Sequence, residues 1–89
     1  MLTIWKATIA QDDHSFSAPR GAELLTAREQ GDDICVWFRC DPSQPKEDRC
    51  VEVCGTGWDS APTGRYVGSA QFGGGALVFH VFEPTAKAA

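Results

Sequence analysis

The sequence has no long hydrophobic run and no excess of positive charge, and these absences exclude two classes of protein. No apolar stretch approaches the ~20 residues that a membrane-spanning helix needs. The chain carries 12 acidic residues against 8 lysines and arginines, a formal net charge of −4, whereas binding to long nucleic acid requires a basic surface. The first residues lack the basic start and apolar core of a signal peptide. We therefore expect a cytoplasmic protein whose thiols are mostly reduced.

Histidine is scarce, which argues against catalysis. His14 and His80 are the only two. A catalytic dyad would need a nucleophile or a carboxylate beside one of them, and no such motif is present. We expect no catalytic residue and no cofactor. For His80 we expect a packed or interface role, with a ligand contact as the alternative.

The four cysteines are spaced poorly for a metal site. Cys35 and Cys40 have opposite parity along a strand and point to opposite faces. Cys50 and Cys54 share a face but lie ~13 Å apart at the rise of a strand. Neither pair can chelate one ion, so we expect no metal. A cross-strand disulfide between Cys35 and Cys54 stays open as an alternative.

Alternating apolar and polar residues, interrupted by Gly, Pro and Asp about every ten positions, predict an all-β fold. We expect a single domain over residues 1–83, a small antiparallel sandwich or barrel of about six to seven strands, and a frayed tail over 84–89. The segment 23–30 also has good helix propensity, so one short helix is the alternative there. The predicted strands cover residues 2–10, 14–18, 23–30, 34–40, 49–54, 66–72 and 76–82.

Burial of one face predicts a hairpin between residues 34–40 and 49–54. The pairs would be Val36 with Val53 and Phe38 with Val51 on the core face, and Cys35 with Cys54, Trp37 with Glu52 and Arg39 with Cys50 on the other. By its alternation with Ile9, Trp5 is expected in the core. The last strand is apolar on both faces, which predicts a second covered surface, most simply another copy of the chain.

The run from Cys50 to Trp58 contains the candidate binding loop. Gly55, Thr56 and Gly57 allow a tight turn whose N–H groups and hydroxyl could meet an anion, and Trp58 adds a flat apolar surface. Trp37 is a second candidate for stacking on a base. Arg39 and Arg65 are the cations best placed to meet a phosphate, and exposed ion pairs are the alternative for both.

Four segments together resemble a family of small uncharacterised phage proteins. They are Thr3-Ile-Trp-Lys6, Cys35-Val-Trp37 with Asp41-Pro-Ser-Gln-Pro-Lys-Glu-Asp-Arg49, Gly55-Thr-Gly57, and Leu77-Val-Phe-His-Val-Phe-Glu83. Members often carry histidine after Gly-Thr-Gly, where this chain has Trp58, which favours a contact role over a catalytic one. The resemblance implies a protein acting in an infected bacterial host.

These observations lead to one function hypothesis and two rivals. The first is a homo-oligomeric counter-defence protein that sequesters a small phosphate-containing nucleotide signal, cyclic or of the ADP-ribose type, at a subunit interface. Its binding residues would be Trp58, Gly55, Thr56, Gly57, Arg65, Trp37, Arg39 and His80. The main rival is a protein–protein interaction module, a virion accessory or an inhibitor of a host enzyme. The third is a nucleotide-cleaving enzyme that uses His80 or His14.

Overall fold

A computed structural model describes residues 1–84, and these residues form an all-β domain, as predicted. The segment 23–30 is a strand and not a helix; one short 3₁₀ turn, Gly73–Gly75, is the helical element of the described chain. The strands are β1 Thr3–Thr8, β2 Ser15–Pro19, β3 Glu23–Gln30, β4 Asp33–Cys40, β5 Lys46–Cys50, β6 Glu52–Gly55, β7 Arg65–Phe72 and β8 Leu77–Glu83. The predicted tail lies outside the described residues from position 85 onward.

Residues 1–84 form eight strands, rather than the predicted six or seven, and these are arranged in two sheets. The larger sheet has the order β1-β4-β3-β7-β8-β6, and β2 pairs with β5 in a separate antiparallel ribbon. The larger sheet is mixed and not purely antiparallel, because β3 and β7 run parallel through one bridge, Ala27 with Gly68. Within residues 1–84 no helix is long and apolar enough to cross a membrane.

The predicted hairpin between residues 34–40 and 49–54 is wrong. β4 lies between β1 and β3, while the second segment divides into β5, which pairs with β2, and β6, which pairs with β8. The division falls at Val51, which is buried and whose N–H donates to the His14 carbonyl (3.1 Å). The chain thus passes from the ribbon to the main sheet at this residue.

The true register changes the partners of the outward residues. Cys35 lies opposite Thr8 and Arg28, whereas Cys54 lies opposite His80 and belongs to β6, four strands across the sheet from β4. The two cysteines therefore form no disulfide, and all four cysteines are free. The remaining opposite pairs are Trp37 with Lys6 and Thr26, and Arg39 with Ile4 and Glu23.

The core lies between the main sheet and the ribbon. We call the covered side of the main sheet the inner face and its other side the outer face. Phe16 of β2 meets Phe38 of β4 with ring centroids 6.2 Å apart. Trp5 is in register with Phe38 and so faces inward, but β1 is an edge strand, and Trp5 is 37% exposed beneath the Lys46 ammonium. The expectation of a core position for Trp5 is therefore only half met. The buried cluster comprises Ile9, Phe16, Ala18, Ala22, Leu24, Ala27, Val36, Phe38, Cys40, Val51, Val67 and Val81.

The final hairpin is confirmed as predicted. β7 and β8 are antiparallel neighbours joined through Gly73–Gly75, three glycines that all have positive φ. β8 is an interior strand between β7 and β6, and on its outer face Phe82 is partly covered by Tyr66 (centroids 5.6 Å apart). Self-association through this strand stays a prediction.

Candidate functional site

A tight turn at the end of β6 sets the position of Trp58. The Trp58 N–H donates to the Gly55 carbonyl (3.1 Å), and Gly57 has φ of 85°, as the third position of a type II turn requires. The Thr56 N–H donates to the Val78 carbonyl (3.1 Å) and ties the turn to β8. A side chain at Gly55 would begin 2.5 Å from the indole ring. Glycine at this position therefore lets Trp58 fold back over the backbone of β6.

Trp58 forms one wall of an apolar groove on the inner face of the sheet. It is 60% exposed, and its ring meets Phe79 edge-on at 5.9 Å; Phe79 in turn lies 6.0 Å from Phe72. The groove has a volume of about 290 Å³. Its apolar walls are Ile9, Ile34, Val53, Trp58, Phe72 and Phe79, and its polar side chains are Gln11, His14 and Asp32.

Two further turns contribute side chains to the groove, the turn between β1 and β2 with His14 and the turn between β3 and β4 with Asp32. His14 has φ of 57° and sits in a turn held by the Asp13 carboxylate, which accepts the Ser15 N–H (3.0 Å). Hydrogen bonding to Ser15, first through its hydroxyl and then through its N–H, lowers the pKa of Asp13, so the carboxylate stays ionised. Asp32 comes from the turn between β3 and β4. The groove therefore depends on three separate loops meeting at one end of the sheet.

His80 lies on the outer face, away from the groove. It stands opposite Ser69 and Cys54 in the ladders. Both ring nitrogens are hydrogen-bonded, Nε2 to the Thr56 hydroxyl (2.8 Å) and Nδ1 to the Ser69 hydroxyl (3.1 Å), and Ser69 is bonded to the Tyr66 hydroxyl. This chain of four side chains braces the turn that carries Trp58.

The structure separates the remaining predicted binding residues from Trp58. Trp37 is half-buried on the outer face of β4, four strands away from β6. The Arg39 guanidinium donates to Glu23 (2.9 Å). Arg65 donates to Glu83 and to the Leu24 carbonyl (2.8 Å). Both arginines thus form the ion pairs that the sequence left as their alternative.

Phosphate binding by the Gly-Thr-Gly turn would have to compete with existing bonds. The N–H groups of Thr56 and Trp58 already donate to backbone carbonyls, and the Thr56 hydroxyl is bonded to His80. Among residues 1–84, no lysine or arginine lines the groove. In a single chain, the groove therefore suits an uncharged ring better than a phosphate.

The sequence located Trp58 but missed most of the groove. In the sequence, Phe72, Phe79, Ile9 and Ile34 belong to predicted strands without any mark of a site, and Asp32 lies between two predicted strands. Their convergence depends on strand order, which local patterns do not carry. In the described part of the chain, no group of three His, Cys, Asp or Glu side chains is placed to hold a metal ion.

Comparison with known proteins places the chain in a family without giving an activity. No curated protein and no solved structure matches it. The sequence profile of a domain of unknown function (DUF7352) matches residues 1–89, the whole chain. The chain belongs to this uncharacterised family.

Proposed function

We propose that this domain is a small-molecule binding protein that holds a planar aromatic ring, such as a nucleobase, in the Trp58 groove. The observation that carries the proposal is a 60% exposed tryptophan fixed over an apolar groove. Leaving a ring of this size in water is unfavourable, and Gly55 makes room for it at that place. A base stacked on Trp58 would contribute ~1–3 kcal/mol.

The dimensions and lining of the groove limit the ligand. About 290 Å³ is at the small end of ligand pockets, which span roughly 300–1,000 Å³. One ring system fits, with any sugar or phosphate outside. Gln11, His14 and Asp32 supply amide, imidazole and carboxylate groups that can pair with the polar edge of a base.

A nucleotide whose phosphate is neutralised by the protein would require a second copy of the chain. Because the described lining holds no lysine or arginine and includes Asp32, the cation that contacts the phosphate would come from a neighbouring subunit. The finer proposal follows from this requirement and from the resemblance to phage proteins: a homo-oligomer in the cytoplasm of an infected bacterium, sequestering a nucleotide immune signal between subunits.

We propose binding without turnover. His14 and the Asp32 carboxylate both line the groove, but no hydrogen bond joins them. The other side chains that line it within residues 1–84 include no hydroxyl, thiol or amine that could act as a nucleophile. The other histidine, His80, has both nitrogens bonded inside the protein on the opposite face. A sequestering protein needs no more than this.

Isothermal titration calorimetry with a panel of nucleobases, nucleosides and nucleotides tests the proposal. We expect saturable binding by at least one member, weakened at least tenfold in Trp58→Ala, which corresponds to ~1.4 kcal/mol. Ile4→Ala is the matched control, because Ile4 is 57% exposed but lies on the opposite edge strand. Equal affinity in the unsubstituted chain and Trp58→Ala would remove the groove from the site.

A protein partner is the second candidate, and the edge strand β1 favours it. Ile4 and Trp5 on β1, and Leu2 just before it, leave apolar surface exposed, and β1 has a neighbouring strand on one side only. Such edges pair readily with another chain. In this case Ile4→Ala would abolish capture of one stoichiometric partner, whereas Trp58→Ala would leave it intact.

A further inference from the structure

A polar trough runs along the outer face where β3 and β7 meet. The two strands are bridged only at Ala27 and Gly68, and a side chain at Gly68 would begin 2.2 Å from the Ala27 carbonyl oxygen. Side chains replace the missing ladder bonds on either side: Glu29 accepts the Gln71 N–H (2.7 Å) and Arg65 donates to the Leu24 carbonyl. The result is a depression of about 720 Å³ between two halves of the sheet.

The lining of this trough differs in kind from that of the Trp58 groove. Thr26, Arg28 and Glu29 line it from β3, and Tyr66, Ser69 and Gln71 line it from β7. One aromatic ring is thus accompanied by hydroxyl and amide groups, which both donate and accept hydrogen bonds, by a guanidinium that donates and by a carboxylate that accepts. That ring is 52% exposed and is steadied edge-on by Phe82.

The charges in the trough cancel. Arg28 and Glu29 lie within ion-pair distance (3.8 Å), and the Gln71 N–H lowers the pKa of Glu29, so that carboxylate stays ionised. A phosphate would meet one cation already balanced by an anion. The apolar part of the lining is limited to Ala27, Val67 and the Tyr66 ring, so an apolar peptide side chain would find little apolar surface there.

We propose that this trough is a second binding site, one that takes a neutral pyranose sugar. A pyranose offers several hydroxyls to the forked polar side chains and a C–H face to the negative face of the Tyr66 ring. The volume is within the range of small-molecule sites and admits one or two sugar rings. The site lies on the opposite face of the sheet from Trp58 and does not depend on ligand binding there.

Heteronuclear NMR of the full chain tests the proposal. The ¹⁵N-labelled protein is titrated with glucose, galactose, mannose, N-acetylglucosamine, maltose and cellobiose. We expect saturable shifts with at least one sugar at millimolar concentration, centred on the amides of Arg28, Ser69 and Gln71. Tyr66→Ala should weaken binding about tenfold, the effect of losing one stacked ring, whereas Tyr66→Phe, which keeps the ring, should change it less than threefold.

Leu77→Ala controls for general effects of truncating an exposed side chain on the same hairpin. Leu77 is 56% exposed and does not line the trough, so the Leu77→Ala variant should bind the sugar as tightly as the unsubstituted chain does. The amide spectrum of each variant reports whether it is folded. The proposal is overturned if no sugar in the panel gives saturable shifts, if the shifts map outside the trough, or if folded Tyr66→Ala binds as tightly as the unsubstituted chain.

Discussion

Gly68→Ala should be among the most damaging single substitutions in this domain. A methyl group at position 68 would begin 2.2 Å from the carbonyl oxygen and 2.7 Å from the nitrogen of Ala27. Both obstacles are backbone atoms of the one bridge between β3 and β7, so no side-chain rotation can relieve the contact. The two halves of the main sheet must move apart.

The size of the effect follows from that geometry. Ordinary contact starts at 3.4 Å, so the strands must separate by about 1.2 Å at their single bridge. Overpacking in a well-packed region costs typically 1–3 kcal/mol, and a rigid backbone obstacle should reach the upper end, about 3 kcal/mol. A domain of 89 residues has a free energy of unfolding of roughly 4–13 kcal/mol. The variant should therefore lose a large share of its stability and more than 10 °C of its melting temperature.

Urea unfolding followed by far-ultraviolet circular dichroism measures this loss. Gly21→Ala is the matched control, because Gly21 has φ of 82° but no atom within 4 Å of the added methyl. That variant isolates left-handed backbone strain, which costs about 1–2 kcal/mol. If Gly68→Ala loses no more stability than Gly21→Ala, then β3 and β7 do not meet as described.

Three further predictions concern the charges and the turn. Glu83→Gln should lower the free energy of unfolding by about 1 kcal/mol, because the Glu83 carboxylate joins two arginines at 2.9 and 3.0 Å and is only 30% exposed. Glu23→Gln breaks a more exposed pair, so its free energy of unfolding should change by no more than ~0.5 kcal/mol in the same urea experiment. The Gln71 N–H lowers the pKa of Glu29 in the folded state. The ionised Glu29 carboxylate therefore stabilises the fold fully above its unfolded pKa of about 4.3, and this stabilisation is lost as the pH falls through the lower folded pKa. The free energy of unfolding of Glu29→Gln should depend less steeply on pH between about pH 5 and pH 3, and an unchanged slope would contradict the bond between Glu29 and Gln71. Gly55→Ala should swing Trp58 off Phe79 without removing it, which we expect to red-shift tryptophan emission and weaken ligand binding as much as Trp58→Ala does; an unshifted spectrum would show that the indole is not held there.

Local patterns predicted the elements of this fold well. The hairpin of β7 and β8 is joined by three consecutive glycines, so its partners are adjacent in sequence and its register follows from the turn. Alternation placed Trp37 on the non-core face, and Trp37 does lie on the outer face. In the segment 23–30, pairing with β4 outweighed helix propensity. Leu24 and Ala27 are both buried, and a bulge between Leu24 and Thr26 brings these residues, three apart, to the same face.

Pairings that are distant in the chain could not be predicted in the same way. Alternation fixes the face of a strand but not its neighbour, so residues 34–40 were assigned to the next strand along the chain, although they pair with β1 and β3. The candidate site shows the same limit. Trp58 was identified from its loop, but Phe79 and Ile34 come to it only through strand order.

The most direct test of the central claim, that the Trp58 groove holds a planar ring, is native mass spectrometry of protein purified from cells and incubated with a pool of nucleosides, nucleotides and cyclic dinucleotides. We expect the unsubstituted protein to gain one ligand mass per groove and to release that ligand unchanged on denaturation. Ligands that carry phosphate should be found only on an oligomer, and the Trp58→Ala variant should carry no ligand. An unsubstituted chain that stays bare with every compound, or a Trp58→Ala chain that carries the same ligand, would contradict the account.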